Sequence, residues 1–220
     1  NPHRMGAWSS DSKSHVATMT EGDFFHNEKS LTLGSDDNLS IVLVEKDGSK
    51  KVLKESLKVL KDEIIDGYTT EDCIILAGGF SFGDYMRAGA IASVTPVMKA
   101  IRQHAEKGGV VVGICNGFQI LCEAGLLPGV LLQNLDQKFI SGIIQIRTET
   151  TNSKLTRNLH QGQVLSLPIA HGHGRYYCDE ETLEKLKQND RILFRYCNLE
   201  GKSDEDTNLN GSVDHIAGIC

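Results

Sequence analysis

From residue 39 onward, short apolar runs alternate with stretches whose apolar positions recur every three or four residues. Ile41-Val42-Leu43-Val44 reads as a buried strand. Leu53, Leu57, Leu60 and Ile64 then return at helical spacing among lysines and glutamates, and predict a helix whose lysines form a solvated face. A second apolar strand spans 73–77 and ends in Gly78-Gly79. Thr95-Pro96 has the form of a helix cap followed by proline at the first helical position. Val97, Met98, Ile101 and Ala105 would face inward, and Gly108 would end that helix. A third apolar run, 109–114, is followed by an amphipathic stretch with Phe118, Leu121 and Cys122 as its apolar positions. This β-α-β-α-β order predicts an α/β fold, a mostly parallel sheet covered by helices. Ligands of such sheets bind at the carboxyl ends of strands, where both Gly78-Gly79 and Cys115 fall.

After Gly129 the pattern changes. Segments 143–147 and 164–169 read as strands of an antiparallel excursion, and Asp179 caps a short helix with Leu183 and Leu186 inside. Residues 192–196 form another strand, 201–210 an acidic, polar loop, and 213–219 a final strand. Residues 1–39 differ from the rest. They are rich in Ser, Asp, His and Gly without a sustained period, and predict a disordered or foreign leader ahead of a domain over 40–220. The chain begins with Asn1 rather than methionine, which suggests a start inside a longer polypeptide.

Composition narrows the class. Of the 220 residues, 40% are hydrophobic and 24% charged, ordinary for a soluble globular protein. A net charge of -6 argues against a broad nucleic-acid or acidic-membrane surface. No apolar run approaches the roughly 20 residues that span a bilayer, and no signal-peptide pattern opens the chain. The six cysteines are scattered without Cys-x-x-Cys pairs, which fits reduced thiols in the cytoplasm better than disulfides or zinc.

The chemistry concentrates in Gly113-Ile114-Cys115-Asn116-Gly117-Phe118-Gln119. Strand, abrupt turn and helix in that order place the Cys115 sulfur at a helix N-terminus, where backbone N–H groups and the helix dipole favour a thiolate. Gly113 and Gly117 let the backbone pass close to a neighbour. This is the cysteine form of the nucleophile elbow best known as Gly-x-Ser-x-Gly. A buried, inert cysteine is the plainer alternative. In an elbow the N–H of Asn116 is one oxyanion donor, and Gly79, at the end of the adjacent strand, is a candidate second donor. For Gly78-Gly79 a simple strand-to-loop turn is equally compatible. Cys122 reads as core.

Longer stretches carry a resemblance. Residues 78–92, Gly-Gly-Phe-Ser-Phe-Gly-Asp-Tyr-Met-Arg-Ala-Gly-Ala-Ile-Ala, are similar to a signature segment of the glutaminase subunit of phosphoribosylformylglycinamidine synthase. Residues 113–121, Gly125-Leu126-Leu127-Pro128-Gly129, Pro168-Ile169-Ala170-His171-Gly172, Asn210-Gly211-Ser212 and Ile216-Ala217-Gly218-Ile219 resemble it as well. The likeness covers about 70–220 in order.

The resemblance implies a class I, triad-type glutamine amidotransferase with a flavodoxin-like α/β fold and a cysteine nucleophile elbow. Cys115 would attack the glutamine side-chain amide and form a thioester. Gly79 and Asn116 would supply the oxyanion hole, and Gln119 would lie near the glutamine pocket. The ammonia would pass to a synthetase subunit or domain that makes the amidine of formylglycinamide ribonucleotide with ATP, in purine biosynthesis. ATP and magnesium are expected on that partner, and no cofactor or metal in this domain. A small third subunit is left open.

Three departures from the family pattern qualify these expectations. The family's catalytic His and Glu come from a Pro-His-Pro-Glu segment that would follow the stretch matched by 216–219, beyond Cys220. A Pro-Gly-Ser/Thr-Asn loop usually follows the opening strand, where Lys46-Asp47-Gly48-Ser49 stands here. His173 occupies the place of a usual Glu. Together they suggest a piece truncated at both ends. A catalytically inactive docking module, a glutaminase of another synthetase and a stress-response relative with the same elbow are the alternatives. His171 and His173 are weak candidates for a replacement base, and local hydrogen bonding is the plainer role. With His215 they lack a carboxylate at ligand spacing, so no metal site is expected. Asp84 and Arg87 either order the loop after Gly79, contact the partner, or are a solvated pair.

Overall fold

The computed structural model describes residues 38–44, 47–56, 73–84 and 87–220. The leader expected over 1–39 lies almost wholly outside the described residues, as do Leu57, Leu60 and Ile64. The chain divides into two compact units, one ending at Leu126 and one running Leu127–Cys220.

The first unit holds a four-stranded sheet in the order β2-β1-β3-β4. Strand β1 is Asn38–Val44, β2 Lys50–Ser56, β3 Cys73–Leu76 and β4 Val110–Gly113. The helix expected to begin near Leu53 is corrected here, because Leu53 lies in β2, paired with Ile41. The reason lies just upstream. Asp47-Gly48 turns the chain, with Gly48 at φ 85° and the Ser49 N–H donating to Asp47 Oδ1 at 2.8 Å. The turn delivers β2 antiparallel to β1, and at Leu53 the paired backbone takes precedence over the helical spacing. The mostly parallel expectation is corrected too. Strand β1 runs antiparallel to both β2 and β3, and of this sheet's described pairings only β3–β4 is parallel. A parallel pair needs a long crossover, and the segment from Gly78 to Gly109 supplies one.

That crossover contains α1, Ala90–Ser93, and α2, Pro96–Glu106. Pro96 opens α2 as expected, but Thr95 Oγ1 turns back to the Ala92 carbonyl at 2.7 Å instead of capping α2. Val97, Met98 and Ile101 are buried, and the fourth inward position is His104 rather than Ala105. The spacing 97, 101, 104 continues the buried stripe. The His104 ring lies against Gly109, where a Cβ would stand 2.1 Å from Nε2. Gly108 ends the helix at φ 87°. Helix α3, Asn116–Glu123, follows β4 and packs on β3 and β4, with Ile120, Leu121 and Cys122 buried.

The second unit is built on an antiparallel sheet ordered β10-β9-β6-β7. Its strands are β6 (Ile140–Thr148), β7 (Val164–His171), β9 (Ile192–Cys197) and β10 (Ile216–Ile219). A two-stranded ribbon joins β5 (Val130–Leu132) to β8 (Arg175–Tyr177). The antiparallel excursion read from the sequence is the β6–β7 pair, from Ile140 opposite His171 to Arg147 opposite Val164. Helix α4, Glu180–Gln188, is capped by Asp179, whose Oδ1 accepts the Thr182 N–H at 2.8 Å, and Leu186 is buried beneath it. A single 3-10 turn, Val213–His215, precedes β10 within the segment expected to be all strand.

Candidate active site

Cys115 stands between β4 and α3 with φ 52° and ψ -109°. This backbone is strained for a residue with a Cβ, and persists only where its surroundings over-determine it. The neighbours do so. The Ile114 N–H donates to the Leu76 carbonyl at 3.0 Å, carrying the β3–β4 pairing into the turn. The Gly117 N–H then donates to Ile114 at 2.9 Å, and those of Phe118 and Gln119 to the Cys115 carbonyl at 3.0 and 3.2 Å. A strand-paired residue and a helix-starting residue thus flank one cysteine.

The glycines permit the close approach. A Cβ on Gly117 would lie 2.0 Å from the Leu76 oxygen, and one on Gly113 would lie 2.5 Å from the Gly117 oxygen. Opposite them, a Cβ on Gly78 would stand 3.2 Å from the Cys115 Cβ and 3.9 Å from its sulfur. The end of β3 therefore comes against the cysteine itself. Gly79 follows with φ 142°, a conformation reserved for glycine. The four site residues expected from the sequence, Gly79, Cys115, Asn116 and Gln119, thus fall in one unit and on two neighbouring strand ends.

Two of them are buried. Asn116 is 0% exposed and Gln119 6%. Asn116 Nδ2 donates to Gln119 Oε1 at 2.8 Å, and Asn116 Oδ1 accepts the Ser81 N–H at 3.2 Å. Ser81 opens a short 3-10 helix, Ser81–Asp84. Sequence reading missed Ser81. Its bond runs from a backbone group to a side chain 35 residues away, and no local pattern encodes it. Arg87 forms a paired bond with Glu123 on α3, with both contacts at 2.6 Å. It thereby ties the loop to the helix, while the side chain of Asp84 lies outside the described residues. Arg102 donates to the Ala124 carbonyl at the end of α3. Cys122 is core as expected, and burial pushes its thiol up to about 12, with Glu123 adding to the effect.

The histidines lie in the second unit. His171 Nδ1 is 3.1 Å from Asn134 Oδ1, and burial lowers its pKa from the usual value. The same Asn134 oxygen accepts the Gly174 N–H at 3.0 Å, while its nitrogen donates to the carbonyls of Lys138 and His171. His171 is thus held in a local polar knot, and His173 beside it is exposed. Among the described residues no three His, Cys, Asp or Glu side chains gather where they could hold a metal ion. No described helix is long and apolar enough to cross a membrane.

Comparison with known proteins identifies the family of the chain. A family model described as CobB/CobQ-like glutamine amidotransferase domain matches residues 55–220. A curated relative from Acaryochloris marina, phosphoribosylformylglycinamidine synthase subunit PurQ, is 48% identical over 187 residues, covering 85% of this chain and 77% of the relative. The chain belongs to the PurQ family of glutamine amidotransferases. Another PurQ, from Koribacter versatilis, is 54% identical over 149 residues, 68% of this chain and 64% of the relative. A PurQ from Bradyrhizobium diazoefficiens is 53% identical over 148 residues, with 67% and 64% covered. The chain thus spans 64% of the length of the first PurQ relatives it matches. A solved structure of PurLQS from Thermotoga maritima aligns with a TM-score of 0.58 at 39% identity, over 70% of this chain and 63% of that one. A second family model, monomeric isocitrate dehydrogenase, matches residues 1–75, a span that includes the segment the sequence sets apart.

Proposed function

We propose that this PurQ-family chain is the glutaminase component of phosphoribosylformylglycinamidine synthase, and that Cys115 is its nucleophile in a nucleophile elbow of a flavodoxin-like fold. The observation that carries the reading is Cys115 at positive φ between β4 and α3, with Gly78 against its side chain. The thiolate adds to the side-chain carbonyl carbon of glutamine. The carbonyl oxygen becomes an oxyanion that the backbone N–H groups of Asn116 and Gly79 receive. The C–N bond then breaks, ammonia leaves with a proton, and water cleaves the thioester to release glutamate and restore the thiol. Gln119 keeps its place beside the glutamine pocket in this proposal. No residue of this chain is assigned to proton transfer.

The ammonia is passed to a synthetase, which carries the ATP and magnesium, in the cytoplasm. The solved PurLQS likeness supports a synthetase partner and a small third subunit. The test is glutamate release from glutamine by the full-length protein, alone and with its synthetase. Cys115→Ala is expected to abolish glutamine-dependent turnover while leaving turnover with added ammonia intact. Undiminished glutamate release from that variant would remove Cys115 from the chemistry and leave a docking role.

A further inference from the structure

An oxyanion hole made from two chain segments works only if the segments keep a constant spacing. Here one donor would come from the loop after β3 and the other from the first turn of α3. The loop is not a relaxed structure, since Gly79 at φ 142° is followed by Phe82 at φ 57°, a left-handed backbone for a bulky residue. Strain of this kind is kept only by contacts from outside the loop.

The Asn116 side chain makes one such contact, alongside the burial of Phe82. Its Oδ1 accepts the N–H of Ser81, two residues beyond Gly79, at 3.2 Å. The bond arrives at the first residue of the 3-10 helix Ser81–Asp84, so Asn116 acts as a cap donated from another element. The opposite end of the amide is fixed by Gln119 Oε1 at 2.8 Å. The Ser81 N–H, which can only donate, decides which way the amide points and leaves its nitrogen toward Gln119. All three residues are buried, Asn116 completely. Away from water such bonds are stronger, and breaking one leaves a buried group unsatisfied.

We propose that the Asn116 side chain is a positioning residue of glutamine hydrolysis, locking the Gly79 loop to the N-terminus of α3 so that both oxyanion donors face one point. The inference rests on the glutaminase reading above and assigns a second task to a residue whose backbone already serves it. It acts through Gly79 and touches no reacting atom.

The test separates the hole from the thiol, using full-length protein and two alkylating reagents. A chloromethyl ketone with the glutamine side-chain length needs the hole, because its carbonyl oxygen becomes an oxyanion when the thiolate adds, before the thioether forms and chloride leaves. Iodoacetamide alkylates by direct displacement and needs no hole. In the wild type the ketone is expected to label Cys115 far faster than iodoacetamide does. Losing a whole oxyanion donor lowers rates about 10²–10³-fold, so loosening one predicts a fall of about 10–100-fold. Asn116→Ala is expected to lower the ketone rate by that factor and the iodoacetamide rate by less than about twofold.

Ser81→Pro cuts the same bond from the other side. It removes the N–H at the first position of a helical turn, where proline is tolerated, and leaves α3 untouched. It is expected to reproduce the effect, and keeps the test decisive if Asn116→Ala does not fold. Asn116→Asp retains an acceptor for Ser81, and the Gln119 amide can turn over to donate to it. It is expected to restore most of the ketone-to-iodoacetamide ratio. An unchanged ratio in Asn116→Ala or Ser81→Pro overturns the inference while the glutaminase reading stands. A wild type with no preference for the ketone takes down both.

Discussion

Gly117 lies against Leu76 so closely that a Cβ on it would stand 2.0 Å from the Leu76 carbonyl oxygen. The first turn of α3 thus rests directly on the backbone of β3. The Leu76 carbonyl is itself engaged by the Ile114 N–H, so neither partner can move aside without breaking the sheet pairing beside Cys115. Gly117→Ala is therefore expected to destabilise the first unit by about 3 kcal/mol or more, at the upper end of overpacking effects. Urea unfolding followed by far-UV circular dichroism measures this. A loss below about 1 kcal/mol would show that the helix can lift off β3 freely.

Cys115 and Cys122 provide an internal contrast. Cys122 is 7% exposed, and burial pushes its thiol up to about 12. At pH 8 its thiolate would be about one part in ten thousand. Iodoacetamide at that pH is expected to modify Cys115 while Cys122 remains intact, as read by peptide mass mapping of the native protein. Equal labelling of both would mean that α3 opens on the timescale of the reaction.

In the second unit, Glu149 is shared by two arginines. Its Oε1 is 2.7 Å from Arg147 Nε and its Oε2 is 2.6 Å from Arg195 Nη1, while Arg195 also reaches Asp214 at 2.7 Å. The groups at the Glu149–Arg195 contact are mostly covered, with side-chain exposures of 18% and 17%. Glu149→Gln leaves Arg147 without its carboxylate partner and Arg195 with Asp214 alone. A loss of about 1–3 kcal/mol is expected, below the value for a fully buried pair because solvent still screens part of the site. A urea midpoint unchanged in 0.1 M salt would contradict it.

His171 predicts an acid sensitivity. Burial lowers its pKa in the folded chain below the ordinary value of 6.5. Between the folded and unfolded values, the unfolded chain binds more protons, so stability rises with pH there. The contribution is complete above about pH 6.5 and declines as pH falls through the lowered folded value. Asn134 Oδ1 already accepts the Gly174 N–H while its Nδ2 donates to two carbonyls, so it faces His171 as an acceptor and favours the tautomer in which Nδ1–H donates to it. His171→Asn, with an amide placed to donate to the same oxygen, is expected to remove this slope between pH 6.5 and the acid limb. Parallel slopes in wild type and variant, from denaturant midpoints across that range, would assign the sensitivity elsewhere.

Much of the site was legible because it is local. The run 109–114, the break at Cys115 and the apolar spacing of Phe118, Leu121 and Cys122 specify strand, turn and helix within about fifteen residues. Glycine at 113 and 117 announces the close approach, because only a missing Cβ allows it. Asp179, capping α4, was legible for the same reason. Less local features were not. Helical spacing read from Leu53 onward did not foresee that Leu53 itself pairs with Ile41, because the turn at Asp47-Gly48 brings the two strands together. His104 rather than Ala105 faces inward because Gly109, beyond the helix end, leaves room for its ring.

The sequence by itself determined where Cys115 stands between strand and helix, which glycines flank it and to which family the chain belongs, since these depend on residue types at short, fixed spacings. Only the tertiary structure decided that β1 runs antiparallel to β3, that the Asn116 amide is spent between Ser81 and Gln119, and that His171 is held by Asn134. Each of these is a pairing between groups some thirty residues or more apart or a choice among hydrogen-bond partners. Such choices are settled by which buried groups would otherwise go unsatisfied once the chain is folded.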